Sequence, residues 1–97
     1  SIILIRSLIS RLKRLIELKK IYIQTNDVDE AINTYKPFIF WKDKEIVKKQ
    51  VQINEFQKIK DLIIKTNDME YLLKKNPDTS HFLVRNFILE RIQDINN

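Results

Sequence analysis

The sequence predicts an all-α protein, a compact bundle of about five helices with no sheet. Three observations predict it. The chain has no glycine in 97 residues, and hairpins and tight βα turns lean on glycine for positive φ. Its apolar residues recur at helical spacing over long stretches. Between those stretches lie Asn26, Asn54 and Asn76, three of its eight asparagines, residues able to close a helix in place of glycine. At 43% apolar and 32% charged, the composition is that of a folded domain, and the length suits a single one.

The first element runs from Ile2 to about Gln24. Leu4, Ile5, Leu8, Ile9, Leu12, Leu15, Ile16, Tyr22 and Ile23 fall on one side at about 100° per residue. Arg6, Ser7, Ser10, Lys13, Arg14, Glu17 and Lys20 face away, with Ile3 and Ile21 among them. Thr25-Asn26-Asp27 ends this helix and opens a short one, Val28 to Tyr35, with Asp27 as N-cap and Glu30 completing a capping box. Lys36-Pro37 stops it, because proline biases its predecessor away from helix. Pro37-Phe38-Ile39-Phe40-Trp41 reads as an extended apolar connector. Asp43 is placed to cap a third helix, about Lys44 to Val51. Asn54 is placed to cap a fourth, whose buried face is Phe56, Ile59, Ile63, Met69 and Leu73, with Leu62 and Leu72 beside it. Asn76-Pro77-Asp78 breaks that pattern. The last helix, Ser80 to Ile95, carries Phe82, Val84, Phe87, Ile88, Leu89, Ile92 and Ile95.

Composition removes several function classes. The chain lacks cysteine and has one histidine, His81, so a thiol nucleophile, a disulfide framework and a His/Cys metal site are excluded. Without glycine, neither a P-loop nor a dinucleotide fingerprint is possible. Ser1-Ile2-Ile3-Leu4-Ile5 is too short for a signal peptide, and no run approaches the roughly 20 apolar residues of a membrane span. The chain starts without Met in an amphipathic pattern, so it is expected to be a piece of a longer protein.

The formal charge is +5, and the whole excess falls within residues 1–24. Arg6, Lys13, Arg14 and Lys20 are therefore a candidate basic face. It fits phosphate contacts in a small nucleic-acid-binding domain, docking on an acidic protein surface, or a solvated helix face. No aromatic accompanies it for base stacking. At the connector, Phe38, Phe40 and Trp41 suit anchoring into the bundle or a subunit interface, with stacking on nucleic acid as the competitor. No catalytic residue emerges. Asp27, Asp29 and Glu30 are explained by a helix start. Asp61 and Asp68 lie on a polar face. Asp78, Ser80 and His81 are turn neighbours with no nucleophile elbow. No cofactor or metal is expected.

The connector also carries a family resemblance. Tyr35-Lys36-Pro37-Phe38-Ile39-Phe40-Trp41-Lys42-Asp43-Lys44 resembles the Arg-Pro-Pro-[Ile/Val]-Phe-Phe-Lys-x-Lys signature of the bacterial DNA polymerase III delta subunit. Lys36 stands at the arginine, Phe38 at the second proline and Trp41 at a phenylalanine. The order of elements is similar as well: a long helix with Leu12, Leu15 and Leu18, then a short acidic-capped helix ending in Ala31-Ile32. After the signature come a helix with a Lys-Gln ending, a long helix with Glu70 and Lys74, and an apolar helix from Phe82 to Ile95. The resemblance spans nearly the whole chain and corresponds to the family's C-terminal third. It implies a helical collar domain, non-catalytic in itself, in a cytoplasmic subunit of the polymerase III holoenzyme. Its partners would be the ATPase subunits and a delta-prime-like subunit of the clamp loader. The sliding clamp and DNA would be met only through the full complex, and no membrane is involved. Pro37, Phe38, Phe40 and Trp41 are the candidate subunit interface.

Overall fold

The computed structural model describes residues 2–97. Its helices are α1 (Ile2–Thr25), α2 (Val28–Thr34), α3 (Lys44–Ile53), α4 (Phe56–Lys75) and α5 (His81–Asn96), with a 3-10 turn at Trp41–Asp43. Among the described residues there is no strand, and no helix is long and apolar enough to cross a membrane. The all-α expectation holds.

α1 is the spine. Its 24 residues rise about 36 Å and set the long axis of a molecule measuring 44 × 25 × 21 Å. α4 lies against it, antiparallel: Arg6 near the start of α1 bonds Glu70 near the end of α4 at 3.0 Å. α2 and α3 pack on α1 and on each other. α5 places Val84 beside Ile5 and Ile9, and Ile95 in the main cluster with Leu8, Leu12, Leu15, Leu18, Val47, Val51 and Ile59. Each fully buried aliphatic side chain contributes about 1.5–3 kcal/mol.

Because α1 touches all four other helices, its buried arc is wider than one stripe. Leu18 is buried, and Ile21, expected on the polar side, packs against the core. Leu4 and Ile23, expected inside, are exposed near the two ends of the helix. Phe82 and Leu89 of α5 and Leu72 of α4 are likewise exposed.

The helix ends follow the asparagine expectation. Asn26 closes α1 in the left-handed region, φ 56°, and its N–H donates to Tyr22 O at 2.7 Å. Asn76 closes α4 by donating to Leu72 O at 2.8 Å. Asp27 caps α2: its Oδ1 accepts from Glu30 N at 3.0 Å. The returning arm of the box is supplied by Thr25, whose Oγ1 accepts from Asp27 N at 3.2 Å. Ser80 caps α5, accepting from Phe82 N at 3.2 Å.

Two caps differ from expectation. Asp43 sits at the N-cap of α3 without a side-chain cap bond, because the 3-10 turn leads the backbone into the helix in an αR conformation. Asn54 is the C-cap of α3, and Glu55 occupies the N-cap of α4 without a side-chain bond. The Asn54 side chain is fully buried. Its Nδ2 donates to Gln50 O and to Ile95 O, each at 2.8 Å. Asn54 therefore ties the end of α3 to the end of α5 instead of starting α4.

Candidate functional site

The connector between α2 and α3 starts where Tyr35 turns extended, one residue before the Lys36–Pro37 peptide, which is cis. In an extended stretch neighbouring side chains point to opposite sides. Ile39 is 4% exposed and belongs to the main core. Its neighbours Phe38 and Phe40 are 73% and 57% exposed, and Trp41 is 70% exposed. Anchoring of these three rings into the bundle, one of the expectations from sequence, is therefore replaced by anchoring through Ile39, with Tyr35 packed against the core where the connector starts. The rings form an outward surface.

That surface is held from both sides. Phe40 O accepts from Asp43 N at 2.8 Å, closing the 3-10 turn. The Phe40 and Trp41 rings sit 5.9 Å apart, tilted by 54°, a favourable aromatic pair geometry. Lys36 lies over Phe38 at 4.9 Å and Lys42 over Trp41 at 5.4 Å, so the aromatic faces are dressed with positive charge. Beneath the connector, Lys44 Nζ donates to Asn33 Oδ1 at 3.1 Å. Lys48 Nζ meets Asp29 Oδ1 at 3.0 Å. That hydrogen bond and the Asp29 charge hold the Lys48 ammonium above its usual pKa, with smaller contributions from Glu45 and Asp27. These contacts lock α2 to α3, and with them the two ends of the connector.

The basic residues of α1 are not one free face. Arg6, Lys13 and Lys20 recur every seventh residue along one edge, but Arg6 is paired with Glu70 and Lys20 with Glu17, each at 3.0 Å. Arg14 lies about 100° further round the helix, where it lines a cleft with Arg11. The helical pattern alone does not single out Arg11; only the packing of α3 and α5 against α1 gives it a role. Among the described residues, no three His, Cys, Asp or Glu side chains converge as metal ligands would. Asp61 accepts from Gln57 Nε2 on the exposed side of α4. His81 opens α5 exposed, and the Ser80 hydroxyl is engaged in capping.

Protein-family models, curated proteins and solved structures offer no match to this chain.

Proposed function

We propose that this chain is an assembly module of a bacterial clamp loader, the C-terminal collar of a delta-type subunit of DNA polymerase III. One observation carries the reading. The stretch Tyr35–Lys44, which resembles the family signature, presents Phe38, Phe40 and Trp41 outward on a connector pinned by Ile39. Exposed large aromatics on a fixed backbone are what a protein interface uses as anchors, because they bury much area at little entropic cost. In this reading the fragment performs no reaction. It holds its subunit beside the ATPase subunits and a delta-prime-like subunit, in the cytoplasm, so that their motions reach the sliding clamp.

The test is reconstitution of the subunit with its clamp-loader partners. Replacing Phe40 and Trp41 by alanine should abolish co-elution while leaving the fold intact. Co-elution unaffected by the double variant would refute it.

A second reading is supported by the lysines over the exposed rings: binding of single-stranded nucleic acid at the connector. It requires affinity that falls steeply with salt and is lost on Trp41→Ala. Under the assembly reading the chain alone binds such a strand negligibly.

A further inference from the structure

Unburied apolar surface and unpaired charge also meet in a groove beside α1, α3 and α5. A cleft of about 310 Å³ opens between α1, α3 and α5. Along α1 it runs into a depression of about 210 Å³ reaching Leu4, the two sharing Leu8, Arg11 and Ile92. Across α3 it runs into another of about 260 Å³ reaching Ile53 and Lys49, sharing Ile46, Gln50 and Asn96. The three depressions adjoin through these shared residues.

The groove's two ends are mainly aliphatic, and its central cleft is mixed, with Gln50 and Asn96 hydrogen-bonded to each other among the aliphatic side chains. Leu4, Ile46 and Ile53 are large apolar side chains left exposed along it. Its rims are positive. Arg11 and Arg14 stand three residues apart on the α1 side, and Lys49 on the α3 side. Among the described residues none of these three makes an ion pair. Asp43 is the single acid lining the groove.

Such a surface selects its ligand by chemistry. A lining without an aromatic ring gives a nucleic-acid base nothing to stack on. A concave groove does not fit a flat lipid surface. A helix with an aliphatic stripe and carboxylates along one flank satisfies both the exposed Leu4, Ile46 and Ile53 and the basic rims. The span from Leu4 to Leu15 on α1 is about 16 Å, three helical turns. We propose that this groove seats an amphipathic helix of a partner polypeptide, aliphatic on its inner face and acidic on the flank that meets Arg11 and Arg14. It deepens the assembly reading, on which it rests for its natural partner, by naming a second contact surface and the partner's chemistry.

The experiment uses no clamp-loader subunit, so the two readings fail separately. The 15N-labelled chain is titrated with a synthetic helical peptide bearing leucines at helical spacing and glutamates on both flanks. A twin peptide carries lysine in place of each glutamate. The acidic peptide should shift the amides of Arg11, Ile46 and Ile92 and bind about tenfold tighter than its twin. The double variant R11E/R14E should invert that preference, and Ile46→Ser should weaken both peptides. Raising salt should weaken the acidic peptide on the unaltered protein, which reads the charge contribution without any variant. Trp41→Ala should leave peptide binding unchanged. Equal affinity for the two peptides, or shifts confined to residues 36–42, would overturn the groove proposal and leave the connector reading standing.

Discussion

Removing the Asn54 side chain should loosen the molecule at the junction of three helices, and the size of the effect can be worked from its contacts. In Asn54→Ala two hydrogen bonds of 2.8 Å disappear, each worth about 0.5–1.5 kcal/mol net. Gln50 O keeps a partner, the backbone N–H of residue 54 at 3.2 Å. Ile95 O, reached across 41 positions of sequence, loses the donor that satisfies it in a buried place, at about 1–3 kcal/mol. Partly offsetting this, the substitution also deletes Asn54 Oδ1, a buried oxygen without a hydrogen-bond partner. The net expectation is a loss of about 2–3 kcal/mol. For a domain of this size that lowers Tm by about 10–20 °C. Thermal unfolding followed by far-ultraviolet circular dichroism reads it directly. Asn54→Asp sharpens the test. Its carboxylate would face two carbonyl oxygens, so burial and repulsion raise its pKa above the unfolded value. Stability is then retained at acid pH, where the group is a neutral donor, and is lost as pH rises through the raised pKa. A Tm within about 3 °C of the parent for Asn54→Ala, or an Asn54→Asp variant more stable at pH 7 than at pH 4, would refute the reasoning.

Other outcomes follow from single contacts. Leu12 is fully buried at the centre of the spine, so Leu12→Ala should cost about 2–5 kcal/mol, measured by urea denaturation with the parent slope. Asn26 holds φ 56°, so Asn26→Ala should cost about 1–2 kcal/mol while Asn26→Gly preserves stability. Equal losses in the two would deny the left-handed turn. Asp29→Asn should lower the Lys48 pKa toward its ordinary value, read by side-chain 15N titration. Because that pKa is raised in the fold, the stability linked to it is present below the unfolded lysine pKa. It fades only as pH rises through the folded value, so the substitution should matter at neutral pH and lose its effect in strong alkali.

The elements of the fold are legible in the sequence because helix periodicity and asparagine punctuation are local signals. Asp27, Asn26, Ser80 and Asn76 all act within four residues of themselves. Asn54 misleads because its partner, Ile95 O, is remote in sequence, and a local capping pattern offers itself as an explanation. The connector is legible as apolar, but its direction is not. Hydrophobicity alone does not say which way a ring points. The alternation of an extended chain could have said it, since Ile39 inward forces Phe38 and Phe40 outward. The groove is not legible at all, because Arg11, Ile46 and Ile92 come from three helices whose packing sets their separation.

The central proposal is that the connector grips a neighbouring subunit. The most direct measurement compares the parent with the variant carrying both Phe40→Ala and Trp41→Ala in reconstitution with the clamp-loader ATPase subunits, alongside thermal unfolding of each protein. The expected result is that assembly is lost while Tm moves by only a few degrees, since the rings are exposed and surface substitutions usually change stability by no more than about 0.5 kcal/mol. Full assembly by the variant, or a collapse of Tm that accounts for its loss, would contradict it.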